Sequence, residues 1–436
     1  MEPRTGNIRR ESSARERGVS RGTQRGRRAL SAKQWRLAGY GLCAAGTLVW
    51  AWRGIHHAAL PYEDGSCLFQ RYYQELSPSS WLDTYAGYAS VLPNVLGSLI
   101  CRLPVPWIPC AMALTAWLLM FVAVTRFLRP GFGAVAPVRV RAVACASLAC
   151  LPIGEGGMST MVMTSQFSLL LWLYLVVLYP RPGTGMKRWI ECTLVALLTW
   201  SHPLSVLALP LSLLRLRDPR ARAMAATQVL AAAGYLLSGR EAGTELLWHQ
   251  LATGALPFLL VRVGFDPLFG SATKAWLWEA DHAWLTFVVG AGVLTLLVLA
   301  CRAAWPRWHR QTRGFLLAFA WLALANSAAA LLTRRVDFTG NMWGHRYVWI
   351  ACVGLVFAVV LAARSRWSLA RIGIGLAVWV AWLSCADRYR YRVPRVAPEF
   401  RAFVSQLVTE EQRLGGRRAV SARLHREDWP IEITPR

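Results

Sequence analysis

The chain has 436 residues, 55% of them hydrophobic, and a formal net charge of +26 at pH 7. Apolar runs of membrane-spanning length recur along it, which excludes a soluble multidomain protein and indicates an all-α, multi-pass membrane protein. The basic residues cluster in short loops between these runs, as is typical of cytoplasmic loops that contact anionic lipid. We therefore expect membrane lipid, and no nucleic acid, as a partner.

Charge and composition divide the chain into three parts. Residues 1–34 are rich in Arg, Ser and Gly, which predicts a disordered arm held in the cytoplasm by its charge. Residues 35–385 hold the apolar runs, beginning with a first span at 37–52, and predict a transmembrane bundle. Residues 386–436 are polar and predict a short extracytoplasmic tail, in which residues 425–435 alternate like a small strand.

Two adjacent acids follow the first span, in a predicted outer loop at 55–87. Glu63 and Asp64 stand between a proline and a glycine in a chain where acids are scarce. Their place at the membrane surface makes them the first candidates for chemistry, with a solvated loop pair as the open alternative. A carboxylate in a partly dry cavity can act as a general base, and it can equally hold a divalent cation such as Mg²⁺ or Mn²⁺.

An amphipathic segment comes next. Leu68, Tyr72 and Leu76 are spaced at i, i+4 and i+8, and they form one apolar stripe within residues 66–77. The segment is too short and too polar to cross the bilayer, so we expect a short helix that lies in the plane of the membrane interface.

Charge counting predicts about nine full crossings and two re-entrant pieces, in a bundle of about nine to eleven helices. Residues 88–103, broken by Pro93, should dip in and return or lie flat. Residues 190–214 are interrupted at 201–203 and have basic clusters at both ends, which predicts a broken hairpin. The acid-rich stretch 239–283 is expected to be an outer loop. Irregular backbone at membrane depth is tolerated only inside protein or along a wet cavity, so the two pieces predict a cavity.

On this topology, charged side chains from distant parts of the chain reach the outer end of the bundle. They are Glu63, Asp64, Glu155, Arg334, Arg335, Asp337, His345 and Arg346. The planar fork of Arg suits a phosphate group. The open alternatives are an interfacial anchor for Arg346 and an aromatic-belt role for Tyr85 and Tyr88. We expect His202 to be a loop or cap residue rather than a metal ligand.

Short motifs lie at intervals between residues 40 and 360. They are Tyr-Glu-Asp-Gly at 62–65, Tyr-Ala-Gly-Tyr at 85–88, Pro-Ile-Gly-Glu at 152–155, Thr-Ser-Gln-Phe at 164–167, Ser-His-Pro-Leu at 201–204 and Gly-His-Arg-Tyr at 344–347. Together they resemble bacterial polytopic glycosyltransferases of the GT-C superfamily. The acidic pair is the most specific of them, whereas residues 164–167 differ from the Asn-rich, Trp-bearing version expected in that family.

The resemblance implies a GT-C-like helical bundle that transfers a hexose, or a pentose such as arabinofuranose, from a polyprenyl-phosphate carrier to an acceptor hydroxyl. The acceptor would be a surface glycan, a lipid-linked glycan or a protein such as pilin, on the extracytoplasmic face of the bacterial inner membrane. The implied base, or metal ligand, is Asp64 or Glu63. The implied substrate-binding residues are Glu155, Gln166, Tyr85, Tyr88, His345, Arg346, Arg334 and Arg335.

Three other functions stay open at this point. A transporter or flippase of lipid-linked sugars would favour ionisable residues deep within the spans and internal repeats, and the predicted spans are nearly free of charge. An oligosaccharide ligase would transfer a whole glycan instead of one sugar. A non-catalytic scaffold would need none of the acids.

Overall fold

The computed structural model describes residues 30–56, 64–74, 78–85, 88–151, 161–179, 184–238, 248–333, 345–363, 396–412, 420–423 and 430–433. Within these ranges the regular structure is helical apart from two short two-stranded ladders, so the predicted all-α class is confirmed. The α-helices are α1 (Ala32–His56), α2 (Gln70–Gln74), α3 (Val91–Ile100), α4 (Ile108–Thr125), α5 (Val138–Cys150), α6 (Gln166–Val177), α7 (Met186–Thr199), α8 (Leu209–Arg215), α9 (Arg222–Leu237), α10 (Trp248–Pro257), α11 (Asp266–Glu279), α12 (Ala283–Ala304), α13 (Arg310–Thr333), α14 (His345–Ala363) and α15 (Val396–Gln412).

The two ladders are small and antiparallel. In the first, β1 (Thr84–Tyr85) pairs with β2 (Tyr88–Ala89). In the second, β3 (Val420–Arg423) pairs with β4 (Pro430–Ile433), which confirms the strand predicted near the end of the tail.

Four helical stretches in the described part of the chain are long and apolar enough to cross a membrane. They are Val105–Leu128, Leu251–Phe269, Ala283–Arg307 and Arg310–Leu332. Their length and composition mark the chain as a membrane protein. The sequence analysis predicted about nine crossings, which is more than these four. Other apolar helices are too short, because α3 and α6 rise only about 15 and 18 Å against a hydrocarbon core of about 30 Å. The predicted span at 37–52 lies inside α1, which is long enough but less apolar than the four.

Arginines tie helix ends together at one end of the bundle, here named the basic end. Arg126 donates to Glu191 Oε1 at 3.1 Å and thereby joins the end of α4 to the start of α7. Arg141, at the start of α5, donates to main-chain carbonyl oxygens of the turn at 127–136. Arg215, at the end of α8, donates to two carbonyl oxygens at the end of α6. Helices α4, α6 and α8 therefore end where α5 and α7 begin.

The opposite end, here named the Asp64 end, is located by the register of α6 and α13. Asn326 Nδ2 donates to Tyr174 Oη at 2.9 Å. Tyr174 lies about 12 Å along α6 from Gln166, and Asn326 lies about 10 Å before Thr333, the end of α13. Consequently α6 begins, and α13 ends, at a similar height, and α14 begins at that same end.

Residues 186–215 fold back on themselves as the sequence predicts. Helix α7 leaves the basic end and stops at Thr199, and the chain then returns through the 3₁₀ turn Pro203–Ala208 and α8. Both outer ends of this hairpin are anchored by the basic-end contacts of Glu191 and Arg215. The tip lies at residues 200–202, where the predicted break stands.

The predicted re-entrant segment 88–103 contains α3, which is too short to cross. Its first two N–H groups have no partner within the helix, as at any helix start. Val91 N donates to the carbonyl oxygen of Trp200, and Leu92 N donates to Ser201 Oγ at 3.0 Å. The two irregular segments thus meet at the hairpin tip.

The acid-rich stretch 239–283 differs from the predicted outer loop. Its described part forms α10, the π-helical segment Phe258–Phe265 and α11, and Leu251–Phe269 is one of the four candidate spans. The π-helical segment crosses α12 closely, because a Cβ atom at Gly290 would overlap the carbonyl oxygen of Leu260. The prediction counted Asp266 among the acids of an outer loop, but this acid is buried against two cations.

The amphipathic segment after the acidic pair does not present its apolar stripe to lipid. Its side chains form a cluster with residues of the α3–α4 junction, of the turn before α6 and of the tail helix α15. The buried members are Leu68, Phe69, Tyr72, Tyr73, Ile100, Cys101, Val105, Ile108, Met112, Val162, Met163, Phe403 and Leu407. The predicted interfacial helix is therefore corrected to a buried one over residues 64–74, because tertiary partners cover Leu68 and Tyr72, whereas Leu76 lies outside the described residues.

The tail contains a helix that the sequence analysis did not predict. Helix α15 contributes Phe403 and Leu407 to the cluster just described, and the Phe403 ring meets Phe69 edge-on at a centroid distance of 6.5 Å. The tail therefore packs against the segment that follows Asp64.

Candidate active site

The carboxylate of Asp64 links the first predicted outer loop to the turn that leads into α6. Asp64 Oδ2 accepts a hydrogen bond from Val162 N at 2.8 Å, and Oδ1 accepts one from Met163 N at 2.9 Å. The side chain is fully buried. Unpaired N–H groups near a helix start attract a carboxylate, and hydrogen bonds to a charged acceptor are the stronger kind. Asp64 thereby brings two motif-bearing segments together.

This geometry gives Asp64 a positioning role. Each of its oxygens accepts one main-chain N–H and keeps a further lone pair, so the roles of general base and metal ligand stay predictions for Asp64. Glu63 remains the other predicted base, and it lies outside the described residues, as do Glu155, Arg334, Arg335 and Asp337.

Gln166 is the first residue of α6 and is buried three residues after Met163. The next residue, Phe167, meets the imidazole of His202 at 4.9 Å between ring centroids, in an edge-on arrangement. The start of α6 therefore contacts the tip of the fold-back hairpin.

His202 is a cap, as predicted. Its Nδ1 accepts a hydrogen bond from Leu204 N at 3.0 Å at the start of the 3₁₀ turn, so this nitrogen carries no proton. A ring nitrogen used in this way is not available to a metal ion.

Tyr85 is paired with Tyr88 in the main-chain register of the β1–β2 ladder. Asn94 Nδ2 of α3 donates to the carbonyl oxygens of Trp81 and Asp83, at 3.2 and 3.0 Å, and so fixes the preceding chain to α3. Because α3 begins at the hairpin tip, the ladder is attached to the same tip that Phe167 contacts.

Tyr72, in α2, links that helix to the chain that precedes the β1–β2 ladder. Its hydroxyl donates to the carbonyl oxygen of Ser80 at 2.9 Å. Burial raises the pKa of the Tyr72 hydroxyl, which keeps it a neutral donor.

His345 and Arg346 are the first residues of α14. Trp308 Nε1, just before α13, donates to the carbonyl oxygen of Leu361 near the end of α14, so α14 begins where α13 ends, at the Asp64 end. Of the predicted site residues that the structure describes, Asp64, Gln166, Tyr85, Tyr88, His345 and Arg346 thus belong to one end of the bundle.

A buried ionic cluster was missed by the sequence analysis. Arg262 Nη1 and Lys274 Nζ each lie 3.2 Å from Asp266 Oδ2, and all three side chains are buried. Arg262 and Asp266 belong to the candidate span Leu251–Phe269. The i, i+4 spacing of an Arg and an Asp within an apolar stretch was the available signal.

Charge inside a span is a functional signal, because one charged residue at the bilayer centre costs roughly 2.5–3.5 kcal/mol on insertion scales. The depth of the cluster follows from Cys352, whose Sγ lies 4.0 Å from the carbonyl oxygen of Arg262. Between His345 and Cys352, α14 rises about 10 Å. Arg262 therefore lies roughly that far below the Asp64 end.

No group of three or more His, Cys, Asp or Glu side chains that could hold a metal ion occurs within the described ranges. The predicted Mg²⁺ or Mn²⁺ site at Glu63 and Asp64 falls partly outside those ranges and stays a prediction.

Comparison with known proteins gives no relative: no protein-family model, curated protein or solved structure matches the chain.

Proposed function

We propose that the chain is a membrane glycosyltransferase with a GT-C-like bundle, which moves a sugar from a polyprenyl-phosphate carrier to an extracytoplasmic acceptor hydroxyl. The observation that carries the proposal is the pair of hydrogen bonds from Val162 N and Met163 N to Asp64. They join the acidic motif at 62–65 to the segment that precedes Gln166, and both segments carry the resemblance to that superfamily.

In the proposed reaction, the acceptor hydroxyl attacks the anomeric carbon of the carrier-bound sugar. An acceptor O–C bond forms, the bond from the anomeric carbon to the phosphate oxygen breaks, and polyprenyl phosphate leaves with the electron pair. Glu63 takes the hydroxyl proton, and Asp64 holds the loop that presents Glu63. Because phosphate is a good leaving group, positioning and deprotonation of the acceptor are the main tasks.

The phosphate-binding residues of this proposal are His345, Arg346, Arg334 and Arg335. The first two begin α14 at the Asp64 end, which is consistent with a phosphate held there. Gln166, Glu155, Tyr85 and Tyr88 are the proposed contacts to sugar or acceptor.

The proposed location is the bacterial inner membrane, with the basic end in the cytoplasm and the Asp64 end outside. The arginines that join helix ends support this orientation, since cytoplasmic loops carry an excess of Lys and Arg. An outward-facing site fits a lipid-linked donor, because nucleotide sugars are cytosolic.

A transporter or flippase of lipid-linked sugars is the second candidate. Arg262 and Asp266 lie inside a candidate span, and buried ionisable residues are a feature of transport pathways. The two functions differ in whether a covalent bond is broken.

The test reconstitutes the purified chain in proteoliposomes with a radiolabelled polyprenyl-phosphate sugar and a glycan acceptor. We expect release of polyprenyl phosphate and labelled acceptor from the native protein, and a loss of at least 100-fold in rate for Glu63→Gln, because general-base catalysis contributes about 10²–10⁴-fold. Glu410→Gln, in the tail helix, is the matched control and should keep the native rate.

Movement of intact carrier across the bilayer without cleavage would support the transporter instead. Full transfer activity in Glu63→Gln would remove Glu63 as the base.

A further inference from the structure

The ionic cluster of Arg262, Asp266 and Lys274 leaves one carboxylate oxygen unused. Asp266 Oδ2 accepts from both Arg262 Nη1 and Lys274 Nζ. Asp266 Oδ1 is buried and has no hydrogen-bond partner within the described part of the chain. A buried acceptor without a donor is destabilising, and in a native protein it is explained by a bound water or ion, by a catalytic role or by strain.

The neighbouring charges limit what Oδ1 can accept. At neutral pH an aspartate is an acceptor only, so its partner must bring a hydrogen. Two cations 3.2 Å from Oδ2 oppose the approach of a third cation, whether a metal ion or an ammonium group. A neutral hydroxyl group therefore fits best, and sugars are the class of ligand richest in such groups.

The cluster contacts the helix whose first residues are His345 and Arg346. The main chain of Arg262 touches Cys352, roughly 10 Å along α14 from His345. The start of α14 also carries Arg346, one of the proposed phosphate-binding residues. A sugar that extends inward from a phosphate at that helix start would approach the cluster.

We propose that Asp266 is a substrate-binding residue whose Oδ1 accepts a hydrogen bond from a hydroxyl of the carrier-bound sugar, while Arg262 and Lys274 position its carboxylate. This inference rests on the proposed glycosyltransferase and identifies where that enzyme recognises the sugar. It involves binding alone, and no bond of the substrate is made or broken at Asp266.

The test measures binding to the full chain in detergent micelles with two probes. One is a decaprenyl phosphate that carries arabinofuranose, glucose or mannose, and the other is decaprenyl phosphate without a sugar. For Asp266→Asn, we expect a loss of affinity of at least 10-fold for the sugar-bearing probe that the native chain binds best. Affinity for the bare carrier should stay within 2-fold of native. Asp218→Asn, an exposed aspartate at the basic end, is the matched control and should bind both probes like the native chain.

A second variant covers the case in which Asp266→Asn does not fold. The double variant Asp266→Asn, Lys274→Met removes one negative and one positive charge and so keeps the net charge of the cluster. It should show the same selective loss for the sugar-bearing probe.

The outcomes separate this inference from the proposed function. Native-like binding of the sugar-bearing probe by the variants would overturn the role of Asp266 and leave the glycosyltransferase standing, with Oδ1 holding a structural water. An equal loss for both probes would also overturn it, since the cluster would then act on the carrier and not on the sugar. If the native chain bound none of the sugar-bearing probes more tightly than the bare carrier, the proposed function and this inference would fail together.

Discussion

Two buried aspartates of this chain differ in how their oxygens are used. At Asp64, both oxygens accept hydrogen bonds from consecutive main-chain N–H groups. At Asp266, two cations share one oxygen and the other oxygen has no hydrogen-bond partner in the described structure. Asp64 is one of the two acids that the sequence analysis selected, whereas Asp266 was counted in a predicted outer loop.

The difference matches the two roles considered above: Asp64 holds two chain segments together, and Asp266 is proposed to bind the sugar. A carboxylate whose two oxygens both accept hydrogen bonds from the main chain holds chain segments together. A carboxylate with a buried, unused oxygen retains a specific capacity to bind a donor. Neither burial nor the scarcity of acidic residues in the chain distinguishes the two aspartates, since both side chains are buried.

The largest expected effect is at the ionic cluster. Asp266→Ala leaves Arg262 and Lys274 buried without the carboxylate that they share, so the free energy of unfolding should fall by about 3–5 kcal/mol. The measurement is SDS titration of the chain in mixed micelles, followed by tryptophan fluorescence. Asp83→Ala is the control, because its contact with Arg71 is exposed and should contribute less than about 1 kcal/mol. An unchanged free energy in Asp266→Ala would show that the cluster is solvated.

The second-largest effect is expected at Asp64, which joins the segment after the first span to the turn before α6. Asp64→Ala removes the acceptor of Val162 N and Met163 N, and the free energy of unfolding should fall by roughly 2–3 kcal/mol. The same titration applies, with the same Asp83→Ala control. If Asp64→Ala were more destabilising than Asp266→Ala, the ranking of the two sites would be wrong. If it abolished transfer at native stability, Asp64 would act as a base and not only as a positioning residue.

The smallest effect is at the hairpin tip. Ser201→Ala removes the acceptor of Leu92 N and should lower the free energy of unfolding by ~1 kcal/mol. Ser238→Ala, at the exposed end of α9, is the matched control, since its hydroxyl bonds only the preceding turn. Equal values for the two serine variants would indicate that the contact between α3 and the tip does not stabilise the fold.

Some predictions depended on local properties and agree with the structure. The fold-back at 186–215 follows from a Ser-His-Pro break with basic residues at both ends, and the short α3 follows from a short apolar run with a proline in its first turn. The cap role of His202 follows from its place before Pro203.

The burial of two amphipathic segments depends on which distant parts of the chain pack against them. The amphipathic stripe with Leu68 and Tyr72 is compatible with a lipid surface or a protein core, and only its packing against Met163 and Phe403 decides for the core. The sequence analysis predicted a short, polar tail at 386–436. Phe403 and Leu407 are nonetheless buried when α15 meets the first loop.

The sequence by itself determined that this is an all-helical membrane protein with a basic end, because hydropathy and charge are properties of each segment alone. It also determined where the chain breaks and turns, because proline and glycine act on their own backbone. Only the tertiary structure decided which carboxylate has both oxygens bonded to main-chain donors and which keeps an oxygen unused. That distinction depends on partners from distant segments: residues 98 and 99 positions away supply the donors to Asp64, and the packing around Asp266 buries a side chain that an outer loop would expose.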